Sequence, residues 1–246
     1  MSEVIPEPHL PPAADRSDAA APGPVQTGPL SFVGGAEWTE GCEFDQALWE
    51  SAGRPEVLIL PTAAAYEHPA RKVEAAEAWF GSFGATVRGL MVLSRPDAHD
   101  DEAVAAVRDA HFVYLSGGSP LHLRAVLKDT PLWAAIGQAW ASGAVIAGSS
   151  AGAMVLGDPM VDPRGGALTL GLGLIENLAL LPHYDTWSME KAERTVQLAT
   201  GHLRIAALDE RTALIRNPDG TWATAGVGAV TVYVDGRPGG TDALHA

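Results

Sequence analysis

From Leu30 onward, short apolar runs alternate with stretches in which apolar residues recur at helical spacing. The runs Leu30–Val33, Val57–Leu60, Thr86–Val92, Phe112–Leu115, Val145–Ala147, Asn177–Leu181, Arg204–Leu208, Thr212–Arg216 and Val230–Val234 have the length and composition of strands. Between them, Ala70–Phe83 carries Val73, Ala76, Trp79 and Phe80 at helical spacing, and Asp101–Asp109, Leu121–Leu127 and Leu132–Ser142 read the same way. Strands separated by helical patterns of about ten to fifteen residues predict βαβ units. The expected α/β architecture is a mostly parallel sheet with helices on both faces. Late in the chain the strands crowd together, which predicts an antiparallel extension at one edge.

The first 29 residues break this rhythm. They hold seven of the 18 prolines, with Ala runs between them. Such a composition builds no core element, so residues 1–28 are expected to be a disordered Pro/Ala-rich tail and 29–246 a single domain. The stretch between Asp129 and Asp158 has no charged residue and is long enough to span a bilayer. Pro131, Gln138, Ser142, Gly143 and Gly148–Gly152 interrupt it, so it reads as helix, turn, strand and elbow instead.

Charge narrows the partners. Sixteen Lys and Arg against 30 Asp and Glu give a formal net charge of −14, which repels phosphate backbones and anionic lipid. Neither nucleic acid nor a membrane is an expected partner. The single cysteine, Cys42, allows no intrachain disulfide and suits a reducing compartment. No basic segment followed by an apolar core opens the chain, so the expected location is the cytoplasm.

In sheets of this kind ligands bind beyond the carboxyl ends of the strands, and reactive side chains stand at several of those ends. Val145–Ala147 runs into Gly148-Ser-Ser-Ala-Gly152, a G-x-S-x-G elbow with Ser150 at its centre. Small residues there let a strand turn tightly into a helix and lift a hydroxyl above the sheet. Ser149 is the rival, but the spacing to both glycines favours Ser150. Phe112–Leu115 leads into Ser116-Gly-Gly-Ser119. That turn can supply the N–H of Gly117 or Gly118 to an oxyanion hole whose other donor is Ala151 N–H. Ser119 and Pro120 can equally be the cap and first residue of a helix.

A serine nucleophile needs a base. Of eight histidines, His183 alone closes an apolar run, Leu178-Ala-Leu-Leu-Pro182, at the expected active edge. Glu210, after Arg204–Leu208, is the expected carboxylate that orients it, with Asp209 and Asp158 as competitors. If the elbow helix reached Asp158, a rise of 1.5 Å per residue would put that carboxylate roughly 12 Å from Ser150.

Taken together, Gly34-Gly35-Ala-Glu37, Leu60-Pro-Thr62, Leu115-Ser-Gly-Gly118, Gly148–Gly152, Gly171-Leu-Gly-Leu174, Pro182-His-Tyr184 and Ala207–Ala213 resemble, in order, the motifs of the serine peptidases that include aspartyl dipeptidase (dipeptidase E) and cyanophycinase. The resemblance implies a three-layer, flavodoxin-like fold of the class I glutamine amidotransferase type. It implies a Ser150–His183–Glu210 triad and a reaction that needs no metal or organic cofactor. The substrate it implies is a short peptide or isopeptide-like amide, and a homodimer would be ordinary for such a family. The chain departs from cyanophycinase-like members after the histidine, where an arginine cluster is replaced by Tyr184–Arg194 with only Lys191 and Arg194 basic. Both read as solvated helix charges. A non-catalytic ligand-binding or regulatory member of the fold, and an esterase of small acyl groups, are the alternatives. Retention of all three triad candidates argues against the first.

Overall fold

The computed structural model describes residues 27–164 and 167–244. Its elements, in chain order, are β1 (Leu30–Val33), α1 (Phe44–Ser51), β2 (Val57–Leu60), α2 (Pro69–Gly81), β3 (Val87–Gly89), α3 (Asp101–Arg108), β4 (Phe112–Leu115), α4 (Pro120–Leu127), α5 (Pro131–Ala141), β5 (Val145–Ser149) and α6 (Ala151–Leu156). They continue with β6 (Leu178–Pro182), α7 (Met189–Val196), β7 (Arg204–Leu208), β8 (Thr212–Arg216), β9 (Trp222–Gly226), β10 (Val230–Val234) and β11 (Arg237–Gly239). Two short strand pairs, Gly157–Asp158 with Ile175–Glu176 and Met160–Val161 with Leu168–Thr169, lie between α6 and β6.

The main sheet has seven strands in the order β9-β8-β1-β5-β4-β2-β3. β1, β5, β4, β2 and β3 run parallel to one another, and β8, antiparallel to β1, adds with β9 the antiparallel edge. Successive strand residues face opposite sides, and both sides are apolar. Phe44, Leu48 and Trp49 of α1 and Phe80 of α2 pack with Val57, Ile59, Phe112 and Tyr114 on one face. On the other, Leu58, Leu60, Val113 and Leu115 meet residues of α3, α4, α5 and α6. The expected three-layer α/β architecture is the one observed.

Three of the expected strands belong elsewhere. β6, β7 and β10, with β11, form a second sheet in the order β6-β7-β10-β11, parallel between β6 and β7 and antiparallel beyond. Both faces of β6 and β7 are buried, and Leu180, Leu181, Ala207 and Leu208 belong to the core that also holds α6. The strand expected over Thr86–Val92 is only Val87–Gly89, because the chain turns sharply where Val92 N–H bonds Leu90 O (2.8 Å).

Helices α4 and α5 begin one residue earlier than the apolar pattern implies. Pro120 and Pro131 occupy their first positions, where the missing N–H costs nothing, and Ser119 and Thr130 cap them. The tail expectation lies outside the described residues except at Thr27 and Gly28. Both are tied down: Gly28 N–H bonds Trp140 O (2.8 Å), and Arg216 donates to Thr27 Oγ1 (3.2 Å). Among the described residues no helix is long and apolar enough to cross a membrane.

One polar group sits oddly in this core. Asp45 of α1 is fully buried, and among the described residues only its Oδ2 has a partner, Trp79 Nε1 at 3.1 Å. Burial, then the nearby Glu37 charge, pushes its carboxyl well above the usual carboxylate range. The unfolded chain releases this proton near pH 4, whereas the folded protein keeps it, so the folded state is penalised increasingly as pH rises above that value. Asp45→Asn has no proton to release. Thermal melts between about pH 4 and 8 should therefore diverge in the variant's favour as pH rises, and parallel curves would show that Asp45 ionises normally in the fold.

Candidate active site

The elbow forms where β5 meets α6. Ser150 adopts φ +50°, ψ −109°, a backbone state that side chains rarely tolerate. It persists because the surroundings fix it: Ser150 N–H donates to Val33 O (2.9 Å), and Ser150 O accepts from Met154 N–H (2.9 Å). The glycine at position 152 is a matter of space, since a Cβ there would run into the carbonyl oxygen of Leu115 and push α6 off β4. The two serines are thereby separated. Ser149 is fully buried and gives its hydroxyl to Glu37 Oε2 (2.9 Å). Ser150 Oγ lies 2.8 Å from His183 Nε2.

His183 and Glu210 come from the second sheet. β6 and β7 are parallel neighbours with Pro182 opposite Leu208, so the chain leaves both strands at the same edge. His183 is one residue past β6, and Glu210 two past β7. Their side chains are about one-third exposed, with His183 Nδ1 2.8 Å from Glu210 Oε1. A carboxylate can only accept, so Nδ1 carries the ring proton and Nε2 offers a lone pair to the Ser150 hydroxyl. The Asp185 carboxylate in turn accepts from Glu210 N–H (3.1 Å) and steadies that residue.

The turn after β1 holds these parts together. Gly34 O accepts His183 N–H and Gly35 O accepts Arg211 N–H, both at 2.8 Å. Gly35 has φ +125°, and a Cβ on it would run into His183 Cε1. The imidazole thus rests on bare backbone.

The competing carboxylates are engaged elsewhere. Asp209 Oδ2 accepts from Ala229 N–H, and Asp158 Oδ1 from Gly171 N–H, each at 2.8 Å. The elbow helix stops at Leu156, because Gly157 turns extended, so Asp158 lies in a short strand instead of two turns down a helix. In the glycine turn, Gly117 N–H is directed to Glu37 Oε1 (3.3 Å). Gly118 N–H and Ala151 N–H have no acceptor among the described residues. Ser119 caps α4 and accepts from His122 N–H (3.3 Å). Of the basic residues after His183, Lys191 lies over the Trp187 ring at 3.7 Å and Arg194 pairs with Glu190 at 2.9 Å.

Glu37 is the residue whose part the sequence did not reveal. Its side chain is 6% exposed and accepts from Lys72 Nζ (2.9 Å), Gly117 N–H and Ser149 Oγ. Burial pushes its carboxyl up, but the Lys72 charge and the hydrogen bonds from Lys72 and Ser149 overcome that and hold it below the usual range. Among the described residues no three His, Cys, Asp or Glu side chains are grouped to hold a metal ion.

The chain is similar in sequence and in structure to known peptidases. The model of peptidase family S51 matches residues 33–222. The cyanophycinase of Synechococcus elongatus is 31% identical over 161 residues, 60% of this chain and 49% of that protein. The chain thus spans about half the length of that relative. The cyanophycinase of Geminocystis herdmanii (strain PCC 6308) is 28% identical over 221 residues, covering 83% of this chain and 79% of that one. The crystal structure of a peptidase from an acI-B1 Actinobacterium superposes with a TM-score of 0.76 at 32% identity, covering 87% of this chain and 93% of that chain.

The contact between Gly35 and the imidazole gives a direct test of the geometry. Gly35→Ala should displace His183 from Ser150 and slow the reaction of Ser150 with a fluorophosphonate by about two orders of magnitude. Labelling at the wild-type rate would show that the ring has room to yield.

Proposed function

The chain belongs to peptidase family S51, and we propose that it is a serine peptidase hydrolysing short peptides or isopeptide-like amides through an acyl-enzyme on Ser150. The observation that carries this reading is the continuous hydrogen-bonded line from Ser150 Oγ through His183 to Glu210, 2.8 Å at each step. In the proposed reaction His183 Nε2 takes the Ser150 proton as Oγ attacks the substrate carbonyl. The tetrahedral oxyanion is met by the N–H groups of Gly118 and Ala151. His183 then returns the proton to the leaving amine, and the C–N bond breaks. Water repeats the sequence: His183 takes its proton, the hydroxide attacks the ester, and Ser150 leaves with the proton from His183. Glu210 holds the imidazole in the needed tautomer and stabilises the imidazolium that forms.

The substrate class follows from the family and is narrowed by two side chains. Lys191 and Arg194 are already occupied by Trp187 and Glu190, which leaves no arginine cluster after His183 to hold an acidic group. A preference for cyanophycin is accordingly not part of the proposal. The net charge of −14 argues against nucleic acid as a partner. The single, buried Cys42 suits a reducing cytoplasm as the place of action.

A fluorophosphonate probe and a panel of dipeptides test the reading. Wild-type protein should label and hydrolyse, and Ser150→Ala should do neither while keeping its melting temperature. Labelling that survives in Ser150→Ala would remove this residue from the mechanism. Glu210→Gln should retain the fold but let the wrong tautomer form, cutting the rate by roughly three to four orders of magnitude. Asp158→Asn should cost far less, since that carboxylate holds Gly171 and not His183. Equal losses in the two variants would exclude Glu210 as the specific orienter.

A further inference from the structure

We propose that Glu37 is a positioning residue for this site: a buried carboxylate that fixes the glycine turn after β4 and so aims Gly118 N–H at the carbonyl attacked by Ser150. The inference rests on the serine-peptidase reading above.

The geometry around Glu37 is unusually connected for one side chain. It stands in the loop after β1, two residues beyond the glycine that carries the His183 ring. Its Oε1 accepts from Lys72 Nζ of α2 and from Gly117 N–H after β4, and its Oε2 accepts from Ser149 Oγ at the end of β5. One carboxylate thus ties together the carboxyl ends of three neighbouring parallel strands, β1, β5 and β4. The Gly117–Gly118 peptide is then held from both sides. Before it, Gly117 N–H points to Glu37; after it, Ser119 N–H donates to Ala63 O (2.8 Å). The free N–H between them, that of Gly118, has little freedom to swing. The turn also abuts the nucleophile, since a Cβ on Gly117 would stand 3.3 Å from both Glu37 Oε1 and Ser150 Cβ.

Chemistry explains why an anion suits this place. Every group hydrogen-bonded to the Glu37 carboxylate is a donor, and a carboxylate presents only acceptors. A neutral amide of the same shape would turn an NH2 toward Lys72, Gly117 N–H or Ser149, and one of those contacts would become donor against donor or would reverse. Lys72 supplies the charge that makes such burial tolerable; an isolated carboxylate 6% exposed would be far costlier. The bond from Ser149 has a second effect. It draws the hydroxyl beside the nucleophile away from the reacting face, so a single serine confronts His183.

A donor that is misaimed weakens oxyanion stabilisation without altering how the substrate is held before attack. Glu37→Gln should therefore lower both kcat and the fluorophosphonate labelling rate by about 10- to 100-fold, with KM within about threefold of wild type. Ser149→Ala removes one of the three donors and should lower kcat by about threefold to tenfold, with little further loss when added to Glu37→Gln. Circular dichroism and melting curves establish that each variant is folded. A folded Glu37→Gln with wild-type kcat, or with its whole loss in KM, overturns the proposal. If that variant does not fold, Ser149→Ala decides, and an unchanged kcat there overturns it equally. A wild-type protein that neither labels nor hydrolyses sinks the serine-peptidase reading and this inference with it. A labelling wild type with an equally fast Glu37→Gln sinks the role of Glu37 alone.

Discussion

Three consecutive carbonyls at the end of β1 organise the site. Val33 O accepts the N–H of Ser150, Gly34 O that of His183, and Gly35 O that of Arg211, the residue after Glu210. Each bond is ordinary in strength, about 1 kcal/mol net. Their value lies in register: one short turn of backbone sets the spacing of three side chains that come from segments far apart in sequence. A slip of one residue in β1 would turn every one of these carbonyls the wrong way and would also exchange the two faces of a strand that is buried on both sides.

This arrangement also solves a topological problem. Ser150 follows a strand of the main sheet, whereas His183 and Glu210 follow two strands of the smaller one. Nothing in the hydrogen bonding of either sheet relates them. The relation is made by packing of α6 against β6, within a core that also holds Ala207 and Leu208 of β7, and by the turn after β1. Parallel pairing of β6 with β7 then does the rest, since it places two chain exits side by side. His183 and Glu210 are adjacent because their strands are, despite their separation of 27 positions along the chain.

The same distinction explains what the sequence disclosed. Ser150, His183 and Glu210 stand out because each closes an apolar run, and strand ends at one edge are where ligands meet such sheets. The division into two sheets was not legible, because Leu178–Pro182 and Arg204–Leu208 are buried like the strands of the main sheet and carry the same pattern. β9, with Ala223 and Thr224 exposed at an edge, has no apolar rhythm to find. α7 is only eight residues long and buries just Ala192, Thr195 and Val196 among charged neighbours, so it lacks a run of large apolar residues. Glu37 was readable as part of a resemblance but not as a buried anion. Its partners Lys72 and Ser149 lie 35 and 112 residues away, and proximity of that kind is created only by folding.

The backbone at the site is held in states that a free chain avoids. Ser150, His183 and Arg211 all have positive φ, +50°, +57° and +54°, although none is glycine. Each such residue costs on the order of 1–3 kcal/mol, so the surrounding contacts must over-determine it. They do so from the turn after β1, whose carbonyls bond the N–H of all three. The strain therefore locates where the fold spends stability on geometry. In the proposed reaction, an imidazole already hydrogen-bonded to the Ser150 hydroxyl needs no rearrangement when charge develops on a bound carbonyl. On that reading Gly35 beside the histidine, the buried Glu37 beside the Gly117–Gly118 turn and the strained Ser150 belong to one device, in which each removes a motion that would otherwise have to be completed during the proposed reaction.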